Sequence, residues 1–439
     1  MDASVRAGLA ARVDELATAH LVPGAQLAIH HDDDTWSHVT GVTRHGTSTA
    51  LTIGHAVPTG SITKVVTAAT VLALVLDGDL DLDEPLAGQA PGLTGLPGFA
   101  RVTPRHLLSH TAGLPSDTAE VTAPTLRRLL QESAAGLHPV APPGSAFSYS
   151  NVGYLLLGHA IEFVTGMSWA EAAEAIVLSP LGIDARWVIG PGADQDLVTG
   201  HTVNRSRGTV RPVAQSITPV QAPAGAFAAS AAQLVLLGRA LGGNEPNDLL
   251  DPGSLKDMRG AVAAAEPFGM ADGWGLGLAV FGSGDNAVVG HDGTGDGTSA
   301  HLRMNPSTGT VVAFTANAGA GFAMWRELAA ELPRFGIPIT DYDPVPRVVE
   351  PVAVPRGVAG SYANGDTTYH VDHDLHLTVD GEPFADLTPM SGLRFAMRDC
   401  DTGETDQVGR FLPGPDGVPA WLQVGGRLAR RTDAVTAAA

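Results

Sequence analysis

The sequence has very little lysine, almost no cysteine and no long uninterrupted apolar run. Of 439 residues 26 are basic; two are lysines, Lys64 and Lys256, and the other 24 are arginines. Chemistry that needs an amine side chain must therefore draw on one of two positions. The single Cys400 excludes an intramolecular disulfide framework and suits a reducing compartment. With 46 acidic residues the formal charge is -20, which argues against the counterion-releasing contacts of nonspecific nucleic-acid binding. The longest apolar stretch, Val65 to Leu76, is interrupted by Thr67 and Thr70. It falls short of the roughly 20 residues that span a bilayer. The N-terminal segment has no continuous apolar region and carries Asp14 and Glu15, so it reads as an amphipathic helix and not a signal peptide. The expectation is a cytoplasmic protein with no membrane or nucleic-acid partner.

What the chain does have is 44% hydrophobic residues, enough for a large core spread over about two or three domains. Helical patterns cover Ala3–His20, Ser61–Leu76, Pro104–Leu108, Asn151–Val164, Ser168–Leu178 and Ala231–Leu241. Strand patterns cover Ala25–His30, Thr35–Val42, Leu276–Phe281, Ala287–Gly290, Ser299–Met304 and Thr310–Ala316. Strands at both ends of a helical middle predict one α/β (α+β) domain over 1–343, whose antiparallel sheet is completed by both ends. Prolines 344, 346, 351 and 355 mark 344–356 as an extended linker. Beyond it, short alternating stretches such as Thr367–Val371, Leu375–Val379 and Trp421–Val424 predict a small all-β domain over 357–439, in the form of a barrel.

The chemistry concentrates in three places. Gly60-Ser61-Ile62-Thr63-Lys64 opens the long apolar helix and puts serine and lysine three apart, on one helical face. A serine hydroxyl needs an adjacent base, and a lysine serves if burial and positive neighbours lower its pKa. The helix N-terminus favours negative charge developing on the serine oxygen. Tyr149-Ser150-Asn151 lies on a loop entering another apolar helix. Its tyrosine can relay a proton and its asparagine can donate to a substrate carbonyl; equally, Asn151 can be a helix N-cap and Tyr149 packing. Gly290-His291-Asp292-Gly293-Thr294-Gly295 follows a strand, where small residues permit close substrate approach.

These three elements, in this order, resemble the penicillin-binding-protein and class C β-lactamase superfamily of serine acyl-enzymes. Leu107–Pro115, Asp77–Asp83 and Gly273-Trp274-Gly275-Leu276-Gly277 strengthen the resemblance, which covers roughly residues 5–335. It implies a β-lactamase/transpeptidase-like domain with a helical subdomain. It also implies Ser61 as nucleophile, Lys64 and Tyr149 as proton-transfer partners, and His291 positioning substrate or stabilising the oxyanion. Asn151, Gly293 and Thr294 would bind substrate, with the backbone N–H groups of Ser61 and Thr294 as oxyanion hole. No cofactor or metal is implied. His-Asp-Gly replaces the Lys-Thr-Gly usual in β-lactamases, so strong β-lactamase activity is not expected.

A member with no leader and an appended β domain most resembles the penicillin-binding-protein-type thioesterases, whose second domain is lipocalin-like. That resemblance implies a trans-acting peptide cyclase. It would take a peptidyl chain from a carrier-protein phosphopantetheine thioester onto the serine and release it as a head-to-tail macrolactam, preferring a D-residue at the acyl-donor end. An esterase, D-aminopeptidase or D-alanyl-D-alanine carboxypeptidase of the same superfamily is the alternative, and a catalytically silent scaffold the second. Other signals carry less. His106 and His110 have i, i+4 spacing, but Leu107 stands where a zinc protease has glutamate. Arg205, Arg207 and Arg211 form a basic patch that reads as a solvated loop, or as a docking surface for an acidic partner.

Overall fold

In the computed structural model the strand Gly24–His31 lies between its hairpin partner Asp34–Gly41 and the distant strand Thr310–Ala316. The long-range pairing runs antiparallel from Ala25 opposite Ala316 to His30 opposite Val311. The structure describes residues 1–432 apart from 92, 94–98, 119–124, 127, 130–137, 194–196, 243–247, 346–348, 351 and 401. Four further strands, Thr298–Asn305, Val288–Gly295, Ala279–Phe281 and Gly273–Trp274, follow Thr310–Ala316 and with the first three complete a seven-stranded antiparallel sheet.

Side chains alternate across that sheet. Leu27, Ile29, Val312 and Phe314 face the helices Ala3–Ala19 and Gly321–Glu331, meeting Leu9, Val13, Trp325 and Leu328. Ala28, Ala313 and Leu302 face the other way, toward Ala231–Gly242 and the helical subdomain. Because both faces are covered, Thr298–Asn305 and Thr310–Ala316 are buried along their whole length. This is why Thr310–Ala316 reads in the sequence as an apolar run, whereas in Thr298–Asn305 the polar Ser299, His301 and Arg303 alternate with Ala300, Leu302 and Met304 although all are buried. At the centre of the subdomain every residue of the helix Thr63–Leu76 from Thr63 to Leu74 is buried. It packs on Asn151–Thr165 and Ala222–Gly225.

The departures from the sequence reading have local causes. The long helix begins one turn late: Gly60–Ile62 is a 3-10 turn, so Ser61 stands at a tightened entry and not within the α-helix. Ser168–Leu178 divides into an α-helix, Trp169–Ala173, and a π-turn, Glu174–Leu178. Leu276–Phe281 is a strand only from Ala279, because Gly277, at φ +88°, lies against Ala68 where a Cβ would not fit. The His291 segment does not follow a strand; it is one, Val288–Gly295, disguised by three glycines.

Between Ile339 and Gly360 the described residues form no helix or strand; Pro344 and Pro355 lie in that stretch, and Pro346 and Pro351 are outside the described residues. Eight antiparallel strands from Gly360–Asn364 to Arg427–Arg431 then close into a barrel, as the lipocalin-like expectation required. Its interior is filled by side chains, with Tyr362, Phe395, Phe411 and Leu422 at the centre.

Beneath the His291 strand lies a buried ionic network. Arg303, 1% exposed, donates from Nη1 and Nη2 to the two carboxylate oxygens of Asp292 at 2.7 and 3.0 Å. It also donates to Asp341 at 2.7 Å, while Trp325 Nε1 donates to the other Asp341 oxygen at 2.6 Å. His301 Nδ1 lies 2.6 Å from Asp292. Arg303 and His301 hold the Asp292 carboxyl well below the usual carboxylate range, although burial alone would raise it. Removing the shared cation strands two carboxylates, so Arg303→Met is expected to cost about 3–5 kcal/mol. A lowered urea midpoint in equilibrium unfolding of the full chain would show it, and an unchanged midpoint would remove the network from the account of what holds this strand.

Candidate active site

Ser61, Lys64, Tyr149, Asn151, Gly293 and Thr294 converge at the junction of sheet, helical subdomain and barrel. Two glycines make the convergence possible. Gly60, at φ +53°, lies against the Thr294 backbone, where a Cβ would collide with its carbonyl. Gly293 lies against Thr59 in the same way, with Ser61 N 3.0 Å from where its Cβ would be. The Ser61 turn and the Thr294 strand are thus pressed together, with both backbones at the base of the cleft. The neighbouring strand pairs only with Val288–Gly290, so no sheet strand covers Asp292–Gly295 on that side.

Lys64 Nζ is 3.0 Å from Ser61 Oγ and donates to the Ala224 carbonyl at 2.8 Å. The side chain is fully buried among apolar groups. Burial lowers its pKa to about 7, with the Arg427 guanidinium adding to the effect and the Asp117 carboxylate opposing it. The amine is therefore substantially neutral near neutral pH and can accept the serine proton. Tyr149 is hydrogen-bonded to the Ser61 side chain, and burial pushes its phenol well above the usual range, so it holds its proton. Lys64 Nζ lies 5.1 Å from the centre of the Tyr149 ring.

The Tyr149–Asn151 loop is fixed on several sides. Ser150, and not Asn151, caps the following helix: its hydroxyl accepts from Gly153 N at 3.1 Å. That leaves the Asn151 side chain in the cleft, where Nδ2 donates to Asp117 at 2.6 Å. His110 Nδ1 accepts from Ser150 N at 3.0 Å, and its ring sits 4.3 Å from that of Tyr149. His110 is therefore part of the loop's support, while His106 pairs with Thr103 to cap its own short helix.

His291 is placed differently from the sequence expectation. It is 1% exposed, and neither arm of the cleft includes it among its lining residues. Its Nδ1 lies 2.6 Å from the Asp292 carbonyl, and its ring packs on Trp274 at 5.3 Å and near Tyr149 at 6.3 Å. Burial lowers its pKa to about 4, with Lys64 contributing, so the imidazole is neutral at pH 7. It lies behind the Tyr149 ring, and of this strand Asp292, Gly293 and Thr294 line the cleft on the barrel side.

The cleft has two arms that meet at Ser61. One, about 370 Å³, runs past Asn151, Asp117, Gln221 and Thr294. The other, about 380 Å³, runs past Tyr149, Gly293, Trp325 and the barrel residue Arg427. Asp117, Trp274 and Arg427 were not found from the sequence. Trp274 lies in the quoted Gly273–Gly277 motif and Asp117 two residues past Pro115, but nothing local marks Arg427 except the preceding pair Gly425-Gly426. Its guanidinium is 5.7 Å from the Tyr149 ring centre and makes no ion pair among the described residues. The basic patch of the sequence is the hairpin Gly200–Asn204 and Thr209–Val213; Arg205 at its turn lies 3.9 Å from the barrel's Glu404. Among the described residues no cluster of histidine, cysteine and carboxylates is arranged to hold a metal, and no helix is long and apolar enough to cross a membrane.

The sheet, the Ser-Lys helix and the cleft between them define a serine-hydrolase-type protein of the β-lactamase and penicillin-binding-protein superfamily. The chain belongs to the β-lactamase family, whose model matches residues 9–332. It is 33% identical over 374 residues to penicillin-binding protein 4 of Amycolatopsis lactamdurans, covering 80% of this chain and 96% of that one. It is 38% identical to SurE, with a TM-score of 0.85 over 98% of this chain and 99% of the other. SurE has also been solved with D-Leu, and that structure is 37% identical with a TM-score of 0.81 over 98% of this chain and 100% of the other. A D-stereospecific amidohydrolase from Streptomyces is 26% identical with a TM-score of 0.58, over 72% of this chain and 97% of that one.

If Arg427 helps keep the Lys64 amine neutral, removing its charge lets that pKa rise. Acylation of Ser61 by a small activated ester should increase with pH around a half-maximum near 7 in the native protein. In Arg427→Ala that limb should move to higher pH, and in Arg427→Lys it should stay close to the native position. An unmoved limb in Arg427→Ala would exclude the guanidinium from tuning Lys64.

Proposed function

We propose that the protein is a serine acyl-enzyme thioesterase that releases a peptide from a carrier-protein phosphopantetheine thioester by macrolactam formation. The observation that carries this reading is the buried Lys64 amine, held 3.0 Å from Ser61 Oγ with its pKa lowered to about 7. The likeness to SurE along the whole chain, barrel included, supports a two-domain member of the superfamily over the single-domain ones. SurE solved with D-Leu and the D-stereospecific amidohydrolase support a D-residue at the acyl-donor end.

Ser61 Oγ attacks the thioester carbonyl while neutral Lys64 takes its proton. The carbonyl oxygen, now negative, is held by the backbone N–H groups of Ser61 and Thr294. As the C–S bond breaks, Tyr149 passes a proton to the sulfur, and the carrier leaves as a thiol. The peptide remains as an ester of Ser61. Its own terminal amine then attacks that ester, loses a proton to the Tyr149–Lys64 pair, and forms the lactam as Ser61 regains its hydrogen. Closing the ring asks the cleft to hold the amine against the ester and to limit water. Asn151 and the uncovered edge at Thr294 serve to hold the acyl segment extended.

Hydrolysis by the same acyl-enzyme is the second reading, favoured by the likeness to the amidohydrolase, because only the second nucleophile differs. Linear peptidyl thioesters ending in D- or L-residues separate the two. Cyclic product from the D-series alone is the expected result. Hydrolysis alone, with efficient turnover of short esters, would sink the cyclase. Ser61→Ala and Lys64→Ala should each abolish acyl-enzyme formation, followed by intact-protein mass, and normal acylation of Lys64→Ala would remove that residue as the base.

A further inference from the structure

A buried amide is one of the contacts through which the barrel reaches the chemistry, beside Gln423, whose Nε2 donates to the Phe147 carbonyl at 3.3 Å. Asn364 ends the strand Gly360–Asn364 and is 2% exposed. Its Oδ1 accepts from Ser116 N at 2.7 Å, and its Nδ2 donates to the Leu428 carbonyl at 2.8 Å. The same Nδ2 lies 3.4 Å from Ser148 Oγ, which accepts from Leu428 N at 3.3 Å. One side chain thus joins two barrel strands to two loops of the cleft.

Those loops carry the site. Ser116 Oγ donates to the Tyr149 carbonyl at 2.8 Å, and the Ser116 carbonyl accepts from Asn151 N at 2.7 Å. The next residue, Asp117, accepts from the Asn151 amide and acts on the charge of Lys64. Tyr149 N in turn donates to the carbonyl of Gly426 at 3.0 Å, on the barrel turn that carries Arg427. Beside the strut, Gly365, at φ +61°, is packed so closely that a Cβ would come within 3.0 Å of Pro115. Asn364 therefore lies where displacement of the barrel is passed through Ser116 to Tyr149, Asn151 and Asp117 together.

We propose that Asn364 is a positioning residue for the Ser61 reaction: through Ser116 and Leu428 it sets where Tyr149 and Asn151 stand relative to the nucleophile. This rests on the reading of Ser61 as nucleophile. The appended barrel is then a fixed wall of the active site, and its amide does for the second motif what Gly60 and Gly293 do for the first and third. Asparagine suits the place because one end must accept and the other donate. A misplacement of catalytic groups by about 1 Å can cost on the order of a hundredfold in rate.

The test is the second-order rate of Ser61 modification by a fluorophosphonate in the full-length chain, read by mass, beside the thermal midpoint. Native protein should label at Ser61; absence of that adduct would overturn the nucleophile assignment itself. Asn364→Ala should label about 10- to 100-fold more slowly. Asn364→Asp, which keeps the acceptor for Ser116 and the side chain's shape, should fall between and carries the test if the alanine variant does not fold. Trp421→Phe removes a different barrel contact, the bond from Nε1 to the Val140 carbonyl at 3.0 Å. It should lose a similar share of stability and keep the native labelling rate. A native rate in Asn364→Asp and any folded Asn364→Ala would overturn the proposal, as would a Trp421→Phe variant slowed as much as Asn364→Ala.

Discussion

Everything at this site depends on the burial of one amine. A lysine in water holds its proton near pH 10.4 and is no base at neutrality. Here the helix around Lys64 is buried from Thr63 to Leu74, and the ammonium's hydrogen-bond partners among the described residues are the Ala224 carbonyl and the Ser61 hydroxyl. Desolvation removes the proton's advantage, and the remaining charges adjust the outcome: Arg427 pushes the pKa down and Asp117 pulls it up. Neither belongs to the Ser-Lys helix, and one belongs to the barrel. The tuning of the base is therefore a property of the whole assembly of domains and not of the motif.

Holding an uncharged amine, a protonated phenol and a neutral imidazole within a few ångströms requires that none of them drift. Each is backed by a different device. Lys64 is held by its helix, Tyr149 by backbone bonds to Gly426 and Ser116, and His291 by its strand and the Trp274 ring. The His291 strand rests in turn on Arg303, whose charge is matched by Asp292 and Asp341. Such a network adds little net stability over apolar packing, but breaking it is costly. Its value here is geometric, since Asp292 is the residue between His291 and Gly293.

The parts of this design that are local in sequence were readable there. Ser61 and Lys64 are three residues apart, Tyr149 and Asn151 two apart, and the sheet strands Thr310–Ala316 and Asp34–Gly41 announce themselves by composition and turns. The strand read over Ala287–Gly290 was ended too early, since it runs on through Gly295; Gly293 and Gly295 weaken its pattern, and the folded contacts show Gly293 pressed against Thr59. His291 was taken to face substrate, since nothing in a sequence tells a floor residue from a wall residue. Asp117, Arg427 and Asn364 escaped because their meaning lies in contacts spanning large sequence separations. Asn364 is 248 positions from Ser116, and no periodicity or spacing encodes such a pairing.

On the proposed reading as a cyclase, the same base bears on how the acyl-enzyme would be resolved. A peptide's terminal amine has a pKa of about 7.7–8.0 and attacks only when unprotonated. Burial lowers Lys64 to about 7, into the same neutral region and far from the ordinary lysine value. Acylation and aminolysis therefore gain together as pH rises through neutrality, since each needs an amine without its proton. Water needs the same Tyr149–Lys64 pair to take its proton, but unlike the amine it is not itself lost to protonation, so acidity weighs more heavily on aminolysis than on hydrolysis. A base of ordinary lysine pKa would have opened the ester-forming step only where the peptide amine was already free. A much lower one would have loaded Ser61 while that amine was still protonated, leaving the ester exposed to water. A pKa near that of the nucleophile is the setting at which one buried side chain can serve both halves of a cyclisation.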